Sequence, residues 1–434
     1  MRVIRTVALI GLIGLTAACN RDEILEGERV DIRAPWGGGE VEENRSQPIS
    51  LPSQAANGSW SQRQGTSGAR PRHPALSANP QLAWSTPIGA GDSRRARLTT
   101  DPVAAGGRVF TLDAGTRVQA TSEAGQVLWS SDVLPPRGAR GSASGGALAV
   151  SGSRLYVASA FAFVAALDVE TGNELWRVDF DSPLTGAPAV NGESIYVSAT
   201  DSTLWALDAS TGRIQWSLPG TAALATVARG AAPAITNSLV VFPTQSGELT
   251  AARRGNGALT WTSVAAGRRI GSALASISAI TGDPVVDGSR IYAATQAGRT
   301  FALDADSGST IWTAEEGAVA PVWPVGGSVF LISDQNRLMR LDARDGTTIW
   351  AQDLPLYTDD RARRRLAIFP QHGPVLAGGR LWVASGDGAL RGFDPVSGAQ
   401  VFATEIPGGA ASGPIVAGGT LYVLGRNGAL HAYR

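Results

Sequence analysis

One short motif recurs through most of the chain and limits the folds open to it. It reads AALDVETGNELW at Ala165–Trp176 and returns as ALDASTGRIQW at Ala206–Trp216, ALDADSGSTIW at Ala302–Trp312 and RLDARDGTTIW at Arg340–Trp350. Each copy follows a β-rich run such as SRLYVA at Ser153–Ala158. Two apolar runs separated by a Gly-containing turn predict a β-hairpin. The repeating unit is therefore a small antiparallel sheet.

The residue types of the motif explain the hairpin. Alternating apolar residues such as Leu167 and Leu207 point to one face of a strand, because successive side chains alternate between the two faces. The Asp that follows accepts hydrogen bonds from nearby backbone amides, and the Gly adopts a positive φ without a steric cost. The closing Trp then lies on the next strand. We expect it to pack between neighbouring sheets; stacking on a cofactor or a sugar is the alternative.

Aromatic residues close the copies at a regular spacing, which predicts the fold. Self-similarity at about 40–50 residues with four strands per unit is typical of a β-propeller. The stretch from Trp84 to Arg434 has room for eight blades of about 44 residues each, with seven as the alternative because one closing residue is Phe. The closing residues are Trp84, Trp129, Trp176, Trp216, Trp261, Trp312, Trp350 and Phe402.

The two ends of the repeat region complement each other. The last copy, Gly418–Arg434, stops before its closing strand, whereas Leu82–Thr86 has such a strand and no blade of its own. We therefore predict that the N-terminal strand completes the C-terminal blade, which closes the ring and covers both sheet edges. The predicted fold is all-β, an eight-bladed β-propeller of four-stranded antiparallel blades over residues 81–434.

The first residues resemble a bacterial export signal with a lipid attachment site. Two arginines precede the apolar run Val7–Leu15, which is shorter than the ~20 residues of a membrane span. The sequence LTAAC that ends at Cys19 resembles a lipobox, with Thr16 where the pattern prefers Leu. The resemblance implies a signal peptide over residues 1–18 and a lipidated Cys19. An ordinary cleaved signal peptide is the alternative.

Residues 19–80 differ in composition from the repeats. Acidic residues crowd their start, and Gly37-Gly38-Gly39 leads into a run rich in Ser, Gln, Asn and Pro. This composition predicts a flexible tether between the lipid and the propeller. Within it, Trp60–Pro80 is expected to dock on the propeller surface, because Trp60 is costly to leave in water. Cys19 is the only cysteine of the chain, so stability must come from a packed core and not from an internal disulfide.

Several classes of function are disfavoured by the composition. The 37 acidic residues balance the 37 basic ones, so no net field attracts nucleic acid. Every basic residue is arginine, which excludes a P-loop lysine, a Schiff-base lysine and a Ser-Lys pair. The three histidines lack the spacing of a metal site, and no G-x-S-x-G motif is present. We expect no catalytic residue, no resident metal and no cofactor.

One segment imitates a calcium loop. Asp304–Gly308 has the sequence DADSG, and Glu315 stands at the twelfth position. An EF-hand loop is flanked by helices, whereas this segment is one copy of the repeat turn between two predicted strands. We expect it to form a turn without calcium.

The repeats also carry a family resemblance. The pattern A-L-D-x-x-T-G-x-x-x-W resembles that of pyrroloquinoline-quinone-type propellers over Trp84–Arg434. Together with the lipobox at Cys19, the chain is similar to the BamB family of outer-membrane lipoproteins. The resemblance implies a non-catalytic scaffold of the outer-membrane β-barrel assembly (BAM) complex, which binds the periplasmic domains of BamA, other BAM subunits and unfolded outer-membrane protein clients. Asn20 instead of Asp implies the outer membrane, with the lipid-anchored protein facing the periplasm.

Two other functions stay open. A quinone-dependent dehydrogenase resembles its relatives in a vicinal cysteine pair and a calcium site, and this chain has a single cysteine and no recognisable calcium cluster. A lipoprotein that binds glycans through exposed aromatic residues is the third possibility. No sequence feature points to it.

The resemblance extends to a candidate partner-binding loop. The segment Leu224–Pro233, LATVARGAAP, resembles the partner-binding loop of the BamB family, and Arg229-Gly230 matches the core of its Leu-Arg-Gly pattern, with Ala228 in place of Leu. The resemblance implies that Arg229 and Gly230 bind the partner; a solvated loop arginine is the alternative. A companion loop, Leu274–Pro284, carries Asp283.

Two repeat units are longer than the others, and such insertions are usual places for binding residues. The extra residues lie between Thr262 and Val286 and between Ala351 and Val375. The second insertion contains Arg361 and the run Arg363–Arg365. This cluster is a candidate for an acidic partner face or lipid headgroups, with a solvated charged loop as the alternative.

Overall fold

The computed structural model describes residues 44–434 except residues 95, 135–144, 185, 222, 224–229, 270–276 and 360. Within these residues the regular elements are β-strands, apart from a 3-10 turn at Ala362–Arg364. The strands form eight antiparallel sheets of four strands each. The prediction of an all-β, eight-bladed propeller is confirmed, and the alternative of seven blades is wrong.

The strands follow one another around the ring, starting with β1 at Leu82–Pro87. Blade 1 contains β2 Val103–Ala105, β3 Arg108–Leu112, β4 Arg117–Ser122 and β5 Val127–Asp132. Blade 2 contains β6 Gly146–Ser151, β7 Arg154–Ser159, β8 Phe163–Asp168 and β9 Glu174–Asp179. Blade 3 contains β10 Ala189–Asn191, β11 Ser194–Ser198, β12 Leu204–Asp208 and β13 Ile214–Leu218. Blade 4 contains β14 Ala234–Ile235, β15 Leu239–Pro243, β16 Glu248–Arg253 and β17 Leu259–Val264.

The second half of the ring repeats this order. Blade 5 contains β18 Ile280–Asp287, β19 Arg290–Thr295, β20 Arg299–Asp304 and β21 Thr310–Ala314. Blade 6 contains β22 Trp323–Val325, β23 Ser328–Ile332, β24 Arg337–Asp342 and β25 Thr348–Asp353. Blade 7 contains β26 Gln371–Ala377, β27 Arg380–Ser385, β28 Ala389–Phe393 and β29 Gln400–Glu405. Blade 8 contains β30 Ile415–Ala417, β31 Thr420–Gly425 and β32 Ala429–Tyr433, with β1 as its outermost strand.

Pairing of β1 with β32 closes the ring as predicted. The two strands are antiparallel, with Trp84 opposite Ala432 and Thr86 opposite Leu430. Both ends of the repeat region are thereby held in one sheet, so neither is left as a free edge.

The core lies between neighbouring blades and is held by the closing tryptophans. Each indole packs on the turn glycine of the next blade, and a Cβ atom on Gly172 would lie only 2.4 Å from Cε3 of Trp129. The same indole nitrogen donates to the carbonyl of Val169 at 2.9 Å. The structural role predicted for the tryptophans is therefore confirmed. The pairs are Trp84 and Gly125, Trp129 and Gly172, Trp176 and Gly212, Trp216 and Gly257, Trp261 and Gly308, Trp312 and Gly346, and Trp350 and Gly398.

Phe402 departs from this pattern for a structural reason. The third and outermost strands of blade 8 are β32 and β1, which come from opposite ends of the chain. No hairpin turn joins these two strands, so blade 8 offers no turn glycine for a tryptophan to pack on. Phe402 instead contacts Trp382 of its own blade edge-on, with 5.5 Å between the ring centroids.

The repeat aspartates organise the turns. In blade 3, Oδ1 of Asp208 accepts hydrogen bonds from the hydroxyls of Ser210 and Thr211 at 2.6 and 2.9 Å. It also accepts from the backbone amides of the same two residues. The hydroxyl of Ser210, followed by that of Thr211, lowers the pKa of Asp208 to about 2. The carboxylate therefore acts as a turn-forming group, as expected from the sequence.

We expect Asp208 to stay ionised to an unusually low pH. Its pKa in the folded protein lies below the ~3.9 of an unfolded chain, so the ionised carboxylate stabilises the fold above about pH 4 and this contribution is lost as the pH falls toward 2. A carbon-detected NMR titration measures this pKa directly. The substitution Ser210→Ala should raise it, and a native value near 4 would contradict the role of the turn hydrogen bonds.

The connections of the ring lie at two ends. Because antiparallel strands alternate in direction, the turns between the first and second and between the third and fourth strands of a blade share one end, named here the turn end. The connections from one blade to the next lie at the opposite end, the loop end. Both long insertions predicted from the sequence fall there, in the connections 265–279 and 354–370. The connection between β13 and β14 also begins and ends there, and its described residues, 219–221, 223 and 230–233, include Gly230.

Candidate functional site

Residues 44–80, the N-terminal segment, contact every blade of the ring. The segment bonds to innermost strands, to first-to-second turns and, in blade 6, to the residue pair just before the innermost strand. The free edge of each innermost strand faces the ring axis, and its backbone groups would otherwise lack a partner. Its partners in blades 1 to 4 are Ala104, Val150, Val190 and Ile235. Its partners in blades 5 to 8 are Val286, Pro321, Gly378 and Gly418.

The packing of residues 44–80 concerns part of the tether predicted over residues 19–80. Residues 44–80 pack against the propeller, which includes the docking expected from Trp60 onward. Residues 19–43 lie outside the described residues, and there the tether stays a prediction. The signal peptide over residues 1–18 and lipidation at Cys19 also lie outside the described residues.

Trp60 anchors the segment on the ring axis. Its side chain is 1% exposed and packs on Trp323 of blade 6, with 6.2 Å between the ring centroids. Its backbone amide donates to the carbonyl of Ala104 at 2.7 Å, and the amide of Ala104 donates back at 2.8 Å. The guanidinium of Arg70 lies 4.9 Å from the ring centroid of Trp323. Burial against the propeller lowers the pKa of Arg70 to about 10, which leaves it charged at neutral pH.

Arg63 reaches from this segment toward the loop end. Its Nε lies 3.3 Å from Oδ2 of Asp101, and its Nη1 lies 3.1 Å from Oδ1 of Asp283. Nη1 also donates to the carbonyl of Gly230 at 2.8 Å. The three charged side chains are between 0 and 10% exposed. The described structure thus contains a buried ionic cluster where blades 1, 4 and 5 approach one another.

A recess opens beside this cluster at the loop end. It is lined by Arg63 and Asp101 together with small residues of blade 2 and of the neighbouring interblade connections, among them Gly146, Ala160, Gly186 and Gly230. The small side chains leave space next to a charged pair. A site of this composition can accept a polar side chain of a protein partner.

The predicted partner-binding residues are only partly described. Arg229 lies outside the described residues. Gly230 is buried, and its carbonyl accepts the hydrogen bond from Arg63. Asp283 of the companion loop is 1% exposed, and its Oδ1 accepts from the amide of Ala232 at 2.9 Å. Gly230 and Asp283 are therefore brought together through Arg63.

The companion connection 265–279 is held at its base by a second ionic cluster. Arg269 lies 2.8 Å from Asp334 and 3.0 Å from Glu316, both at the loop end of neighbouring chain segments. Arg337 contacts the same Glu316 at 2.6 Å. These ion pairs attach the connection to blade 6.

The connection 354–370 forms a short protruding hairpin. Tyr357 bridges Ile368, and the amide of Thr358 donates to the carbonyl of Ala367 at 3.0 Å. Leu366 near its tip is 90% exposed. Among the arginines of the predicted basic cluster, Arg365 lies over the ring of Tyr357 and Arg364 lies 3.8 Å from Asp359. The structure thus places the basic cluster at the loop end.

The described residues contain no group of three or more His, Cys, Asp or Glu side chains that could hold a metal ion. In the segment that imitates a calcium loop, Oδ1 of Asp304 accepts hydrogen bonds from the amide and hydroxyl of Ser307. The segment forms the repeat turn between β20 and β21. Among the described residues, no helix has the length and hydrophobicity needed to cross a membrane.

Sequence reasoning missed Arg63 and Asp101. Arg63 stands in a Ser- and Gln-rich run, and Asp101 stands in an interblade connection outside the repeat motif. The available signal was the position of Arg63 three residues after Trp60, since a buried tryptophan brings its neighbours into the core. Neither residue recurs from unit to unit, so the repeat pattern gave no indication of their partners.

Comparison with known proteins gives one consistent family. The family model described as outer membrane protein assembly factor BamB matches residues 114–352 and 358–434. The chain is 26% identical over 264 residues to the outer membrane protein assembly factor BamB of Moranella endobia, a match that covers 59% of this chain and 68% of that protein. It is 30% identical over 267 residues to the same factor of Alteromonas naphthalenivorans, covering 58% of this chain and 63% of that protein.

Solved structures share the fold at low sequence identity. BamB from Moraxella catarrhalis superposes with a TM-score of 0.67 at 18% identity, over 82% of this chain and 99% of that one. A quinohemoprotein alcohol dehydrogenase from Pseudomonas putida also reaches a TM-score of 0.67, at 14% identity over 89% of this chain and 83% of that one. Structural likeness alone thus does not separate the two families, whereas the family model spans most of the propeller. The chain belongs to the family of the outer membrane protein assembly factor BamB.

Proposed function

We propose that this protein is a non-catalytic scaffold of the outer-membrane β-barrel assembly complex and binds the periplasmic domains of BamA through its loop end. Membership of the BamB family supports the assembly role. Binding of other BAM subunits and of unfolded outer-membrane protein clients belongs to the same proposal. The docking surface is formed by the connection 219–233, with Arg229 and Gly230, and by the recess beside it.

One observation favours a scaffold over a quinone-dependent enzyme. The ring axis is the cavity in which a propeller can enclose a small ligand. Here Trp60 and Arg63 of the chain itself occupy that axis and are almost fully buried. The axial residues do not fit a quinone cofactor, because the space that a flat ring system would need is filled by the N-terminal segment. A surface for a macromolecule at the loop end remains.

Lipidation of Cys19 would hold the scaffold at the outer membrane on its periplasmic side. The 25 residue-to-residue steps from Cys19 to Asn44 can span at most about 80–90 Å when the chain is fully extended. Asn44 is attached to the outermost strand of blade 6, where its side chain donates to the carbonyl of Ala351 at 3.0 Å. This reach lets the loop end face a partner in the periplasm while the lipid stays in the membrane.

We expect the substitution Arg229→Glu to abolish recovery of BamA when the tagged protein is purified from detergent-solubilised outer membranes. Arginine is enriched at binding hot spots, and losing such an anchor costs about 2 kcal/mol or more, or roughly thirtyfold in affinity. Partners are identified by mass spectrometry. Arg213→Glu is the matched control, because it makes the same charge change in the third-to-fourth turn of blade 3, at the turn end.

The outcomes separate the parts of the proposal. Loss of BamA with Arg229→Glu alone supports docking at the loop end. Equal recovery with both variants would leave the scaffold role in place and remove Arg229 from the docking surface. If no subunit of the assembly complex is recovered with the native chain, the scaffold role itself is wrong.

A further inference from the structure

The N-terminal segment covers the turn end of the ring and supplies one side chain to the loop end. Its backbone bonds to Gly378 and Gly418 lie at the turn end. Arg63 of the same segment extends to Gly230 and Asp101, which belong to interblade connections at the loop end. One side chain therefore passes along the ring axis and joins the two ends of the propeller.

The partners of Arg63 hold further parts of the loop end. Oδ1 of Asp283 accepts from the amide of Ala232, two residues after Gly230. Oδ1 of Asp101 accepts from the amide of Gly413 in the connection before blade 8, at 2.8 Å. Arg63 is thereby linked to strand β18 of blade 5 and to the connections that precede blades 1, 4 and 8.

We infer that Arg63 positions the docking surface by holding Gly230 and the Asp283 carboxylate that supports Ala232. The inference rests on the proposed function for the identity of the partner. Arg63 is a positioning residue that acts through the backbone of Gly230, which it binds directly, and of Ala232, which it reaches through Asp283. The recess that it lines is incomplete without the N-terminal segment, so this segment forms part of the docking surface.

The geometry requires an arginine. Two different nitrogens of one planar group serve the cluster, with Nε toward Asp101 and Nη1 shared by Asp283 and the carbonyl of Gly230. A lysine presents one compact ammonium group and cannot reproduce this divergent set of contacts. We therefore expect Arg63→Lys to retain a positive charge between the carboxylates and to lose the hold on Gly230.

The test combines hydrogen exchange with binding in the full mature chain. We expect Arg63→Met to accelerate amide exchange in the peptide covering residues 224–233 at least tenfold, with exchange in blade 7 unchanged. We expect it to weaken binding to the purified periplasmic domains of BamA at least tenfold. Arg63→Lys should change both quantities in the same direction. Arg45→Met is the matched control, because Arg45 belongs to the same segment and donates to the carbonyl of Thr348, far from Gly230.

Three results would overturn the inference. The first is a folded Arg63→Met protein whose exchange at residues 224–233 and affinity for BamA equal those of the native chain. The second is faster exchange in all blades alike, which would make Arg63 a general stabilising residue. If Arg63→Met does not fold, the same two measurements are made on Arg63→Lys. Native exchange and native affinity in Arg63→Lys would be the third result that overturns the inference. Should the native chain itself fail to bind BamA, the proposed function is wrong, whereas exchange still decides whether Arg63 positions Gly230.

Discussion

Replacing Trp60 by alanine should lower the free energy of unfolding by about 3–5 kcal/mol, the usual cost of truncating a buried aromatic side chain. Trp60 is 1% exposed, and it packs on Trp323 at the ring axis. Its truncation would leave a cavity beside blades 1 and 6 that the rigid inner strands cannot close. The expected result is a lower urea midpoint with a single transition, because the segment belongs to the same cooperative unit as the blades.

Trp36→Ala is the matched control for this measurement. Trp36 belongs to the predicted tether, so its truncation should change the free energy of unfolding by no more than about 0.5 kcal/mol. A Trp60→Ala protein with the native midpoint would contradict the view that residues 44–80 are part of the folded domain. It would restore the tether over the whole of residues 19–80.

The second large effect is expected at the contact between blades. Gly308→Ala should destabilise the protein by about 2–5 kcal/mol, combining the strain of a left-handed alanine with overpacking against the indole. Gly308 has a φ of +70°, and an added Cβ would lie 2.4 Å from Cε3 of Trp261. Trp261 is 8% exposed and donates to the carbonyl of Ala305 at 3.3 Å, so its ring cannot move aside freely.

Gly192→Ala isolates the part of this effect that comes from the tryptophan. Gly192 has a φ of +61°, and an added Cβ there meets no atom within 4 Å. Its substitution should cost only the backbone strain, about 1–2 kcal/mol. Equal losses in the two variants, measured by urea unfolding, would mean that the indole does not restrict the turn of the next blade.

The blades were predictable because their determinants are local. Asp208, Gly212 and Trp216 stand within one hairpin and its closing strand, and the same order returns in other units. A strand, a turn aspartate and a turn glycine each depend on residues only a few positions away. Their spacing in the sequence therefore predicts the hairpin before the fold is known. The closing strand β1 was predictable as well, since an incomplete last unit and an unassigned first strand complement each other.

The candidate site was less accessible to such reasoning. Gly230 was singled out through a family resemblance, but its bond to Arg63 joins residues 167 positions apart in the chain. Asp101 and Asp283 lie on different blades, and no periodic pattern relates them to Arg63. For Arg229 and Cys19, which lie outside the described residues, the roles in docking and lipidation stay predictions.

The amino-acid sequence alone was enough for the type and order of the blades, because each hairpin and each closing tryptophan depends on neighbours within one or two repeat units. The structure excluded the alternative of seven blades, which the sequence had left open because Phe402 replaces a closing tryptophan. The course of residues 44–80 was settled only when the eight blades came together. Closure of the ring creates a central axis. It is lined by the free backbone groups of the innermost strands, such as β2, which pairs with Trp60. Those hydrogen-bonding groups and the apolar surface of Trp323 exist as one binding surface only in the folded ring, and they explain why a polar segment without repeats is ordered there.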